Sequence, residues 1–164
     1  MRPKAIRTGI LLAGLCVAAV AAQSDRPERV PAPTKEAKVW SAADVKARGL
    51  ELLKTKANNY SFFSETAYNA ELRNLTGKQP VLQHIKRGDF MVILEGGGTF
   101  TTGGELVNSK LQNPNGDLTA EGSKGGVNRE VKAGDVVFVP PGVAHYFSNI
   151  PDHVLEILVR WDVK

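Results

Sequence analysis

The chain of 164 residues holds three histidines, His84, His145 and His153, and one cysteine, Cys16. Imidazole is the side chain best suited to hold a metal or move a proton near neutral pH, so these positions come first. His145 stands in GDVVFVPPGVAHYFSN (134–149), where an apolar run ends in Pro140-Pro141-Gly142 and the histidine follows three residues later. In an extended strand, alternation puts Val143, His145, Phe147 and Asn149 on one face. A buried neutral imidazole needs a partner for each ring nitrogen, and a metal ion can supply one. The plainer reading is a core histidine bonded to backbone carbonyls. His84 lies in PVLQHIK and shares a face with Leu82, while Asp89 shares the next strand's face with Met91 and Ile93. Plainer readings exist here too: an exposed strand position beside Gln83 and Lys86 for His84, and a turn residue after Gly88 for Asp89. His153, in an IPDH turn, is expected to be exposed.

Other chemistries find little support. GGGTFTTGG (96–104) follows a strand but opens no helix and lacks a Lys-Ser/Thr pair, so it is no phosphate loop. Its glycines suit bulges and tight turns. No serine, cysteine or lysine nucleophile stands beside a base.

The elements that must position the histidines are short and strand-like. SFFSETAYNAELRN, PVLQHIK, DFMVILEG, GTFTTGG, REVKAGDVVFVP, AHYFSN and VLEILVRWDV are rich in β-branched and aromatic residues, with Gly, Asn, Pro and Asp between them. In the last segment Leu155, Ile157, Val159, Trp161 and Val163 share one face. Such a series predicts an all-β fold, an antiparallel sandwich or barrel. Upstream, Ser41 as N-cap with Asp44 three residues on predicts one short helix over 42–54, interrupted only by Gly49. Residues 108–128 (NSKLQNPNGDLTAEGSKGGVN) are polar and rich in Gly and Asn, and read as a long loop, a type usually functional or mobile.

The N-terminus predicts export. MRPKAIR is a basic n-region, TGILLAGLCVAAV an apolar stretch of small residues, and the alanines before Gln23 resemble a signal-peptidase site, giving a signal peptide over 1–22. The apolar stretch falls short of the roughly 20 residues that span hydrocarbon. A lipoprotein reading through Cys16 meets Leu15 where a small residue is needed. Residues 23–40 form a disordered Pro-rich linker and 41–164 the folded domain. Once exported, to a periplasmic or extracellular place, the chain has no cysteine and holds together without disulfides. About 140 residues can bury nearly 70% of the unfolded surface, enough for a core. The formal charge of +4 includes Arg2, Lys4 and Arg7; without them the domain is near neutral. No basic block remains to suit nucleic acid or an anionic membrane.

The spacing Gly134-x5-Pro140-x-Gly142-x2-His145-x3-Asn149 resembles, at every defined position, the second motif of the cupin superfamily. The first motif of that family, Gly-x5-His-x-His-x(3,4)-Glu-x6-Gly, is met in part by LQHIKRGDFMVILEG (82–96): His84 takes the second histidine, Asp89 the glutamate and Gly96 the closing glycine. Leu82 stands in place of the first histidine, and Thr76 in place of the leading glycine. The resemblance implies a cupin-type, jelly-roll-like antiparallel β-barrel in which His84, Asp89 and His145 converge at the mouth. Two histidines and a carboxylate leave open positions on a divalent metal such as Fe, Mn, Ni or Zn. Gln83, Lys86, Tyr146 and Asn149 become candidates for ligand binding.

Three functions compete. One is a metal-dependent enzyme of oxygenase, isomerase or lyase type acting on a small oxygen-bearing molecule. The second is a metal-free barrel binding a small polar or sugar-like ligand, which the loss of a histidine at Leu82 favours. The third is a structural homodimer without a ligand.

Overall fold

A computed structural model describes residue 31 and residues 36–164; the expected signal peptide and most of the linker lie outside the described residues. Among the described residues one helix precedes twelve strands: α1 (Ala42–Thr55), β1 (Asn59–Ser64), β2 (Tyr68–Leu75), β3 (Val81–Gln83), β4 (Arg87–Thr102), β5 (Glu105–Val107), β6 (Lys110–Leu111), β7 (Leu118–Ala120), β8 (Gly122–Lys124), β9 (Val127–Lys132), β10 (Val136–Val139), β11 (His145–Asn149) and β12 (Val154–Asp162). All strand pairings are antiparallel.

The helix starts as expected. Ser41 Oγ accepts from Asp44 N and the Asp44 carboxylate accepts from Ser41 N, a capping box that satisfies two otherwise orphaned donors. Gly49 does not interrupt α1; it is buried against Leu155 of β12. Through Leu52 the helix closes a core of Phe62, Ala70, Leu72 and Leu155 on the outside of the β1–β2–β12 sheet, with Trp40 packed edge-on against Phe62.

β4 joins everything. DFMVILEG and GTFTTGG, which read as two strands, form one strand of 16 residues. Its first half pairs with β12 and β10, its second with β11 and β9. A strand that passes from one sheet to another must bend, and the bend falls at Gly96–Gly98. Gly96 has φ +73°, and its Cα faces the His153 carbonyl too closely for any Cβ.

The barrel core lies inside this bend: Leu75, Met91, Ile93, Phe100, Val139, Phe147, Ile150, Val154 and Leu158. β12 therefore turns its two faces to different places. The regular apolar face noted in the sequence, with Leu155, Ile157 and Val159, packs outward under the helix. The inward face is Val154, Glu156, Leu158 and Arg160, so the strand carries two charges into the barrel. Residues 108–128 are also more ordered than their composition suggests. They contain β6, β7 and β8, and β7 pairs with β3, with Leu118 opposite Gln83.

Candidate metal centre

The two histidine-bearing segments are held together by backbone. The Pro140-Pro141-Gly142 corner docks on the end of β3: Gly142 N donates to His84 O at 2.7 Å, and Gln83 Nε2 donates to Gly142 O at 2.8 Å. Gly142 adopts φ +82°, the left-handed turn that a glycine makes without strain. Three residues later the chain enters β11 with His145 opposite Leu82 of β3 and Thr102 of β4. The rigid turn thus sets His145 on the inner face beside His84.

Asp89 reaches the same place from β4, opposite Val139 on one side and Arg160 on the other. His84, Asp89 and His145 are all buried, and one ligand atom from each lies within 4.8 Å of the others. The ring centroids of the histidines are 5.7 Å apart. Each imidazole is anchored through Nδ1: His145 donates to the Val143 carbonyl at 3.0 Å, and His84 to Asp117 Oδ2 at 3.2 Å. Carbonyl and carboxylate oxygens only accept, so both rings carry their proton on Nδ1 and turn Nε2 inward.

The inward atoms fit a cation. His84 Nε2 is buried with no hydrogen-bond partner. His145 Nε2 faces Asp89 Oδ2 at 3.2 Å. Two electron-pair donors at that distance require a proton or a metal ion between them. Burial holds His84 below the ordinary histidine pKa, partly offset by Asp89, and so favours the neutral form that a metal needs. Asp89 is lowered well below the carboxylate range: burial raises it, but the His145 hydrogen bond and the Arg160 guanidinium outweigh that.

Four charged residues missed from the sequence lie behind Asp89. Arg160 Nε is 3.5 Å from Asp89 Oδ1, and Arg160 Nη1 donates to Glu71 Oε1 at 3.2 Å. Glu71 also accepts from Asn59 Nδ2 at 3.1 Å. Further along β12, Glu156 is completely buried, with Arg73 Nε 3.3 Å from one carboxylate oxygen and no hydrogen bond to either. The available signal was Glu156 and Arg160 recurring at even spacing within an apolar strand, the mark of a polar inward face. Asp117 gave no such signal, since its contact with His84 spans 33 residues.

The remaining candidates disperse. Gln83 holds the corner at Gly142, and Lys86 is exposed. Tyr146 turns away from His145 and packs with Val81, Ala120 and Ala144. Asn149, expected on the His145 face, is exposed because β11 slips register against β4 between Phe147 and Asn149. His153 stands apart from the cluster, half-buried rather than exposed, with Nδ1 2.8 Å from Asp152.

Burial raises the Glu156 carboxyl pKa, against the pull of Arg73 and Arg160. A raised folded-state pKa gives stability that is complete below the unfolded value of about 4.3 and is lost as pH rises through the folded value. Glu156→Gln, which keeps the shape without the charge, is therefore expected to be more stable than wild type above that window. The advantage should grow with pH in parallel urea titrations; a constant difference would mean that Glu156 titrates normally.

Among solved structures, a protein of Bacillus halodurans (BH2720) has a TM-score of 0.52 at 12% identity, over 82% of this chain and 88% of that one. The chain has a cupin fold. Further matches have lower TM-scores. An uncharacterised conserved protein with a double-stranded β-helix domain from Klebsiella pneumoniae has a TM-score of 0.49 at 13% identity, over 77% of this chain and 91% of that one. A cupin protein of Bacteroides fragilis (BF4112) has 0.45 at 14% identity, over 79% and 86%. No family model and no curated protein matches the sequence. The bend of β4 and the pairing of β11 with β3 and β4 bring the two motif segments together.

Proposed function

We propose that this chain is an exported cupin-fold protein that binds one divalent metal through His84, Asp89 and His145. In this reading it uses the remaining coordination positions for a small oxygen-bearing ligand, as an enzyme of oxygenase, isomerase or lyase type. The observation that carries the reading is the meeting of two Nδ1-anchored imidazoles and a buried carboxylate within 4.8 Å. A bound ion would supply Lewis acidity toward a carbonyl, or redox chemistry toward dioxygen if it were iron. The protein's own part is positional. Val143 and Asp117 orient the rings, Arg160 favours the ionised form of Asp89, and Phe100 packs against the His145 ring at a centroid distance of 6.2 Å. Export is supported by the basic and apolar N-terminal segments and by a folded domain free of cysteine.

Leu82, directly opposite His145, supports a second reading: a metal-free barrel that binds a small polar or sugar-like ligand. Elemental analysis of protein purified without a histidine tag separates the two. About one equivalent of metal is expected in wild type, falling at least tenfold in His84→Ala and His145→Ala, as loss of one of three ligands demands. Wild-type protein free of metal, with a melting temperature unmoved by added Fe(II), Mn, Ni or Zn ions, would reject the metal reading.

A further inference from the structure

Asp117 sits in the turn between β6 and β7, within the segment read from sequence as a loop, and both of its oxygens are committed. Oδ1 accepts from Ile85 N at 2.9 Å, and Oδ2 accepts from His84 Nδ1 at 3.2 Å and from Asn113 Nδ2 at 2.9 Å. Asn113 folds the turn in its own right, its Oδ1 accepting from Asn115 N at 2.9 Å and Asp117 N at 3.4 Å. Backbone pairing adds a second restraint: Leu118 pairs with Gln83 on one side and Leu111 on the other. The carboxylate is thus buried, held by three donors, and aimed at the ring nitrogen that faces away from the centre.

A histidine in water exchanges its proton between the two nitrogens, and only one of the two neutral tautomers presents Nε2 as a lone pair. At neutral pH a carboxylate can only accept, so a ring docked on Asp117 keeps its hydrogen on Nδ1. The orphaned, buried Nε2 of His84 is the counterpart of that choice. His145 receives the same treatment from a neutral backbone carbonyl, a weaker acceptor than a carboxylate.

We propose that Asp117 is the positioning residue of the centre, selecting the His84 tautomer and ring orientation that present Nε2 to the ion, so that the 112–117 turn sets metal affinity. The consequence for metal binding rests on the three-ligand reading above; the tautomer does not. A carboxylate behind a ligating imidazole also raises its basicity, and loss of such a partner typically weakens metal binding about 10–100-fold. The turn therefore does for His84, from 33 residues away, what the Val143 carbonyl does locally for His145: it locks one ring.

Two measurements test this on the full folded domain. Long-range proton–nitrogen correlation spectra of metal-free wild type should show His84 protonated on Nδ1 alone. In Asp117→Ala the same ring should shift toward the Nε2-protonated form. In parallel, chelator competition with Co(II) should give affinities about 10–100-fold weaker for Asp117→Ala. Asp117→Asn should fall between, because an amide oxygen still accepts from Nδ1 without the charge. Glu121→Ala, which breaks only the Asn108 contact in the same segment, should match wild type in both. The visible spectrum of the cobalt form should change in the Asp117 variants and not in Glu121→Ala. Wild-type His84 protonated on Nε2, or Asp117→Ala identical to wild type in tautomer and affinity, overturns the proposal. Wild type that binds no Co(II), yet shows an Nδ1 proton that Asp117→Ala removes, defeats the metal reading and leaves the positioning role standing.

Discussion

Arg160→Ala is expected to cost about 3–5 kcal/mol of folding stability, the penalty for removing one partner of a buried ion pair. The size follows from what is left behind. Arg160 stands between two carboxylates, Glu71 and Asp89, whose side chains are 3% and 2% exposed. Without the guanidinium, Glu71 keeps the amide of Asn59, and Asp89 keeps its contact with His145 Nε2. Neither carboxylate reaches water, so each must be protonated or stay charged in a low-dielectric interior. Arg160→Lys should recover part of the loss, since a point charge on a flexible stem cannot replace the planar fork. Arg160→Met combined with Glu71→Gln should cost much less than the two single changes added together, because the pair is removed as a unit. Urea unfolding at pH 7 measures all five variants, the two single changes included. A loss below about 1 kcal/mol in Arg160→Ala would place these charges in effective contact with solvent and remove the argument that they hold Asp89 in position.

Gly96→Ala is expected to be the most damaging substitution of a non-polar residue, with a loss of at least about 4 kcal/mol or failure to fold. Two costs coincide at this residue. Its φ of +73° is left-handed, which a side chain resists by about 1–3 kcal/mol. An added Cβ would also lie 1.9 Å from the carbonyl oxygen of His153, a backbone atom that cannot swing aside. Relief would require moving β4 from the chain before β12, and with it the bend that carries β4 between the sheets. Gly142→Ala is the control. Its φ is also positive, at +82°, but nothing lies within 4 Å of the added atom, so only the strain of about 1–3 kcal/mol should appear. Equal effects of the two changes, read from melting temperatures, would show that the contact at His153 relaxes freely. Domains of this kind have a total stability of about 5–15 kcal/mol, so the larger loss should be visible first as reduced soluble yield.

Local chemistry made several features legible in the sequence. The capping box at Ser41 and Asp44, the strand segments and the Pro140–Gly142 corner depend on neighbours a few residues apart, and the structure shows each of them; β3 ends at Gln83, so His84 stands just beyond the strand it was expected to share with Leu82. The convergence of His84, Asp89 and His145 was legible only through the resemblance of two motifs, because spacing along the chain says nothing about which strand ends meet. Alternation failed where geometry breaks its period. The register slip in β11 took Asn149 out of the inner face, and Gly96–Gly98 fused two expected strands into one.

The last strand shows most clearly where local reasoning ends. A run of alternating apolar residues marks a buried face, and Leu155, Ile157 and Val159 are indeed packed, but under the helix rather than in the barrel. Which face enters the barrel is decided by the curvature of the sheet and by α1 occupying its convex side. That placement sent Glu156 and Arg160 inward and made them partners of residues on β2 and β4. Asp117 met His84 for a related reason, the pairing of β7 with β3. Hydrophobic periodicity and turn chemistry are properties of short windows, so the sequence alone determined the strands, the cap and the identity of three candidate ligands. The groups that orient those ligands and hold them charged come from distant segments, and only the closing of the barrel brought them into contact.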